Sequence, residues 1–176
     1  IRIVRATPLH RGFFRNKVAR LIRGNAATPI DIEAAGAKWR LHGDNNLIEL
    51  GLMLHPAYNA PDIKFLTEGA PLGSAFVDIG CNIGLYTLAC AQTAGANGRV
   101  IAIDANPLMA ARLRYNVKAS GLSNVTVFDC AVSDTQTRAD LSIAKEDVAI
   151  VAIAESKDGA IAVRTLADIL SDAGIS

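Results

Sequence analysis

The sequence predicts one α/β domain with a doubly wound, mostly parallel sheet, and three observations carry that prediction. Short apolar runs of strand type, Ala75 to Ile79, Arg99 to Ala105 and Val125 to Phe128, alternate with helical stretches. A glycine loop, Gly80-Cys81-Asn82-Ile83-Gly84, follows the first run and opens a helix. Asp104 lies at the end of the second run, twenty residues after Gly84. A nucleoside-binding βαβ unit sets a carboxylate for ribose hydroxyls at about that spacing.

The loop narrows the ligand class. Glycines at 80 and 84 allow positive φ, and the helix start behind them offers N–H groups to something polar. A dinucleotide fingerprint reads G-x-G-x-x-G, whereas Asp78-Ile79-Gly80 is followed here by three residues and Gly84. Asn82 occupies the place of the second glycine, which bars close approach of a pyrophosphate.

The order D-x-G-x-x-x-G, with an acid ending the next strand, resembles motif I of the class I methyltransferases that use S-adenosylmethionine. Five ordered blocks, VDIGCNIGLYTL, GRVIAIDANP, RLRYNVKASGLSNVTV, CAVSD and VRTLADIL, resemble the FkbM family, which methylates hydroxyls of sugars and natural products. The resemblance runs from about Lys38 to the end of the chain. It implies a Rossmann-like class I methyltransferase fold and S-adenosylmethionine as cofactor. It also implies a cofactor site of Asp78, Gly80, Cys81, Asn82, Gly84, Asp104, Ala105, Asp129 and Cys130. Within that site Gly80, Cys81, Asn82 and Gly84 cradle the methionine end, Asp78 orders the loop, Asp104 holds the ribose, and Asp129 with the Cys130 amide meets the adenine. FkbM sequences often carry Tyr-Glu ahead of the central strand, and the corresponding pair here is Tyr58-Asn59, which offers an amide in place of the acid.

The same resemblance implies that VRTLADIL is followed by a further strand bearing acids near the transferred methyl, and this sequence does not contain it. The expectation is therefore a chain that holds the cofactor half of a larger sheet and is inactive alone. Ala75 to Ile79 is then an open, association-prone edge. No catalytic base is assigned; His55 in its loop next to Pro56 reads as a surface residue.

Composition sets further bounds. A length of 176 residues suffices for one domain with a core, and half of the residues are hydrophobic. No uninterrupted apolar run approaches the roughly 18 residues of a membrane span. Cys81, Cys90 and Cys130 form an odd set without C-x-x-C spacing. That pattern suits packing in a reducing, cytoplasmic setting and predicts neither disulfides nor a metal site. Residues 1–23 carry seven basic residues and no acid, so they hold +7 while the remainder holds −6. We therefore separate a basic N-terminal segment, 1–37, from a cofactor-binding domain, 38–176. Its partner would be anionic, and an RNA methyltransferase is one alternative function. A non-catalytic nucleoside-binding module is the other. The primary reading has a small-molecule or glycan acceptor.

The other elements follow in order. Lys38 to Leu41 reads as extended, with Trp39 as a packing anchor. Gly43-Asp44-Asn45-Asn46 caps a helix over Leu47 to Leu54, and Pro61 starts a second that runs through Leu66. Asn106 and Pro107 start a third, which Gly121 ends. Three strand-like pieces between 139 and 165 predict an added ribbon, and Thr165 with Asp168 caps a last helix that Gly174 closes.

Overall fold

A computed structural model describes residues 28–42, 46–144, 147–148 and 150–175. The basic segment 1–23, and with it most of the predicted N-terminal segment, lies outside the described residues. The first element is a hairpin, β1 (Ile30–Ala34) and β2 (Ala37–Leu41), paired antiparallel. Ala35 and Gly36 turn it with positive φ at both positions, the backbone that matches the right-handed twist of the flanking strands. Sequence reading found β2 and overlooked β1.

Helices α1 (Leu47–Leu54) and α2 (Ala60–Thr67) follow. Strands β3 (Ala75–Ile79), β4 (Arg99–Ile103) and β5 (Val125–Phe128) form a parallel sheet in the order β3-β4-β5, joined by α3 (Leu85–Ala94) and α4 (Pro107–Ala119). The second strand ends at Ile103 rather than Ala105, because Asp104 and Asn106 are already engaged in capping contacts. Beyond β5, strands β6 (Ala131–Val132), β7 (Thr137–Ile143), β8 (Val151–Glu155) and β9 (Ile161–Arg164) build a four-stranded sheet in the order β6-β9-β7-β8. The predicted ribbon is thus part of a mixed sheet, with β6 and β9 parallel and the other pairs antiparallel. Helix α5 (Leu166–Asp172) starts at Thr165, whose hydroxyl accepts the Asp168 N–H.

The core lies mainly on one side of the parallel sheet. Trp39 and Leu41 of the hairpin pack with Leu52 and Met53 of α1, Leu85 and Leu88 of α3, and Met109 and Leu113 of α4. Trp39 is 1% exposed and its indole N–H donates to the Ala34 carbonyl at 2.8 Å, so it is an anchor as predicted. The hairpin is also stitched to α4: the Arg40 N–H donates to Asn116 Oδ1 at 2.9 Å and the Lys38 N–H to Ser120 Oγ at 3.0 Å. A buried ion pair, Arg112 Nη1 to Glu49 Oε1 at 2.9 Å, ties α4 to α1.

On the opposite face, Ile101 and Ile103 lie under Ile169 of α5. That cover does not extend over β3. Val77 and Ile79 pair in register with Ile101 and Ile103, yet remain 43% and 55% exposed. Among the described residues β3 pairs only with β4, so its second edge is open, as the sequence reading expected.

Candidate functional site

The parallel register assembles the site. Ile79 pairs with Ile103, and Ile103 with Phe128, so the next residues, Gly80, Asp104 and Asp129, line the carboxyl end of the three strands. In open parallel sheets this end is where ligands bind. Most of the predicted residues are therefore brought together at one margin. Gly80 and Asp129 are exposed and Ala105 is half-buried, while Cys81, Asn82, Gly84, Asp104 and Cys130 are buried.

The loop is held from within. Gly80, Asn82 and Gly84 take φ of +78°, +50° and +100°. The Gly80 and Cys81 N–H groups donate to the Ile103 carbonyl, and the Gly84 N–H to the Cys81 carbonyl. The Asn82 N–H donates to Asp104 Oδ2 at 2.7 Å, and the Ile83 N–H to Asn82 Oδ1 at 2.7 Å. All five loop amides are consumed, which leaves the helix start behind the loop to offer donors. Leu85 and Tyr86, in the first turn of α3, keep N–H groups without an acceptor among the described residues.

The two glycines have different reasons. A Cβ at Gly84 would lie 2.3 Å from Leu113 Cδ1 and 2.7 Å from Leu88 Cδ1, so this glycine lets α3 and α4 close over the loop. A Cβ at Gly80 would meet nothing within 4 Å. Only Gly80 faces open space.

The loop-ordering role expected of Asp78 is taken by Asp104. Asp78 Oδ2 accepts the Thr87 hydroxyl at 2.5 Å, which ties β3 to the first turn of α3. Asp104 orders the loop, accepting Asn82 N–H on one oxygen and Asn106 N–H at 2.8 Å on the other. Burial pushes both carboxyls above the usual carboxylate range, and for Asp104 the two backbone N–H bonds offset part of that rise. Asp129 is half-exposed and paired with Arg114 at 2.9 Å, and this hydrogen-bonded guanidinium holds it below the usual range.

The thiols are packing groups, as their number and spacing suggested. All three are buried, and burial pushes Cys81 and Cys130 upward and Cys90 up to about 11. Asn59 caps α2 at φ +53° and donates to the Tyr86 hydroxyl at 3.1 Å, so the Tyr58-Asn59 pair reaches the helix that follows the loop. Tyr58 itself packs on Gly51, and His55 is the half-buried C-cap of α1. Sequence reading missed the asparagines around the loop: Asn46 donates to Asn82 Oδ1 at 2.9 Å and Asn116 to the Ile83 carbonyl at 3.1 Å. The available signal was the cap role of Asn46; its partner 36 residues away had none.

Grooves of about 390 and 550 Å³ flank the β1–β2 hairpin, lined by residues such as Asp31, Lys38, Tyr115 and Ser120, and include no residue of the 80–84 loop. Among the described residues no group of three or more His, Cys, Asp or Glu is placed to hold a metal ion, and no helix is long and apolar enough to cross a membrane.

A family model described as a methyltransferase domain matches residues 76–174, from β3 through α5. The chain belongs to this methyltransferase family. Its sheet-and-helix architecture is the Rossmann-like fold of class I methyltransferases. A search of the curated proteins gave no match. Among solved structures, a SAM-dependent methyltransferase from Aquifex aeolicus is 27% identical with a TM-score of 0.38, over 46% of this chain and 43% of its own. One from Agrobacterium tumefaciens is 14% identical with a TM-score of 0.45, over 60% and 33%. The tRNA (uracil-54, C5)-methyltransferase of Pyrococcus abyssi, in complex with S-adenosyl-L-homocysteine, is 16% identical with a TM-score of 0.42, over 57% and 23%. This methyltransferase domain thus covers less than half the length of each.

Proposed function

We propose that this methyltransferase domain binds S-adenosylmethionine across Gly80, Asp104 and Asp129, and that the protein methylates a hydroxyl of a sugar or natural product, as FkbM enzymes do. The observation that carries the cofactor reading is how the loop spends its donors. A pyrophosphate needs several free amides, and with the five from Gly80 to Gly84 occupied, this turn leaves it those of Leu85 and Tyr86. The Gly80 and Asn82 carbonyls, by contrast, have no donor among the described residues, and three carboxylates stand nearby. Acceptors and negative charge suit a ligand bearing an ammonium and a sulfonium.

In this reading the open space beside Gly80 admits the methionine end and the Gly80 carbonyl accepts its ammonium. Asp104, with two oxygens already holding N–H groups, has remaining lone pairs for ribose hydroxyls. Asp129 and the Cys130 amide face the adenine. S-adenosylmethionine, when bound, supplies a methyl group on a positively charged sulfur. The chain's contribution is then alignment of the acceptor oxygen and removal of its proton.

Calorimetry with S-adenosylhomocysteine and NAD tests the cofactor. Tighter binding of NAD would overturn the reading. Transfer from labelled cofactor to glycan and small-molecule hydroxyls tests the acceptor. The +7 charge of residues 1–23 favours RNA as a second acceptor, and steeply salt-dependent RNA binding with methylation of RNA alone would select it.

A further inference from the structure

We propose that Asn46 is a positioning residue for the cofactor loop: it latches Asn82 in the left-handed conformation that sets the path from Gly80 to Gly84. The proposal rests on the cofactor reading above for its effect on binding, though not for its effect on the loop.

Asn46 does two things at once. Its Oδ1 accepts the Ile48 and Glu49 N–H groups at 3.0 and 3.2 Å, which caps α1. Its Nδ2 points elsewhere, donating to Asn82 Oδ1 at 2.9 Å and to the Met109 sulfur at 3.3 Å. An N-cap requires only the oxygen, which serine, threonine or aspartate supplies as well. The nitrogen is the group that capping does not explain, and it is spent on the loop.

The receiving end is equally specific. Asn82 Oδ1 accepts from both Asn46 Nδ2 and its neighbour's Ile83 N–H, so the carboxamide cannot reverse without facing a donor with a donor. The Asn82 N–H is held separately by Asp104 Oδ2. Asn82 is 8% exposed and sits at φ +50°, a left-handed conformation that asparagine visits more readily than other L-residues and that the hydrogen bonds to its side chain and N–H fix here. Asn46, with no exposed surface, is part of that hold. Its own base is rigid, because Glu49 in the same turn accepts the His42 N–H at 2.5 Å and pairs with Arg112.

The test uses the 176-residue chain with Asn46→Ser, which keeps a capping oxygen and loses the nitrogen, and the same change in an Asn82→Gly background. Asn46→Asp, a strong cap of the same shape, is measured alongside in case the serine void prevents folding. Amide hydrogen exchange is the first readout. Exchange at Ile83 is expected to quicken about tenfold or more while Ile48 and Glu49 change little. Affinity for S-adenosylhomocysteine is the second. It is expected to fall about tenfold in the native background and under about twofold in the Asn82→Gly background, where the loop needs no latch, a non-additivity that marks direct coupling. Equal quickening at all three amides, or none at Ile83, or the same affinity loss in both backgrounds, would reduce Asn46 to a cap and overturn the proposal. Absence of cofactor binding by the unsubstituted chain would defeat the cofactor reading instead, and the exchange result would still decide the latch.

Discussion

Replacing Gly84 by alanine separates the packing role of this glycine from the ligand-facing role of Gly80. At Gly84 the new methyl would stand 2.3 Å from Leu113 Cδ1 and 2.7 Å from Leu88 Cδ1, with the backbone at φ +100°. The left-handed conformation costs an L-residue about 1 to 2 kcal/mol. Forcing a methyl into a filled core adds about 1 to 3 kcal/mol, because both leucines are almost fully buried and cannot swing away. Together these give a loss of about 2 to 5 kcal/mol, a large part of an ordinary domain's stability. At Gly80, φ is +78° and the space is open, so only the conformational cost of about 1 to 2 kcal/mol applies. Its methyl would instead enter the proposed ligand space, and S-adenosylhomocysteine affinity should fall about tenfold or more, some 1.4 kcal/mol. Urea unfolding of both variants, with calorimetry, reads the two effects. A Gly84→Ala loss below about 0.5 kcal/mol, within the range of neutral surface changes, would refute the packing argument. So would a Gly80→Ala variant less stable than Gly84→Ala.

Asp104→Ala removes the acceptor of two buried N–H groups, Asn82 and Asn106, and is expected to destabilise the domain by about 2 to 5 kcal/mol as well as weaken the cofactor, whereas a pure ligand contact would leave urea unfolding unchanged. Because the folded pKa values of Asp78 and Asp104 are raised, the native state holds protons that the unfolded chain has lost. Their contribution to apo stability is full below the unfolded pKa and declines as pH rises through the folded values; unfolding measured from about pH 4 upward should show that decline. Cofactor affinity should run the other way, rising as these carboxyls ionise, and a pH-independent affinity would remove them from the site. The open β3 edge, with Val77 and Ile79 exposed, predicts concentration-dependent association that Val77→Lys reduces; sedimentation showing a monomer at every concentration would contradict it.

Local signals were legible where one residue's chemistry decides an element. Leu47–Leu54 forms the span expected behind the Asn46 cap, and Asn106 with Pro107 begins α4 as read. Strand β1 was missed although Ile30, Ile32 and Ala34 alternate with Asp31 and Glu33, a period-two pattern followed by a turn. Strand β6 has two residues, too few for any periodicity. The margin formed by Gly80, Asp104 and Asp129 was readable because strand ends recur at fixed places in βαβ units. The destination of the loop amides was not, since their acceptors include a side chain at 104 that the sequence marks only as acidic.

Four asparagines near the loop, Asn46, Asn82, Asn106 and Asn116, are 0, 8, 1 and 0% exposed, and each is hydrogen-bonded. A carboxamide both donates and accepts without charge, so it can join a helix terminus to a loop inside the core at no cost of burying an ion. Asp104 is the charged member of the group, and it accepts two N–H bonds where an amide oxygen would bring less attraction. The loop is consequently built into the core beside Met109 and Leu113, with Cys81 and Ile83 in the same cluster. A ligand meeting such a loop need not order it, and the entropy of ordering is largely absent from the cost of binding. The selectivity of the proposed site would then follow from what a fixed backbone leaves exposed, which at Gly80 is an open position beside a carbonyl rather than a nest of donors.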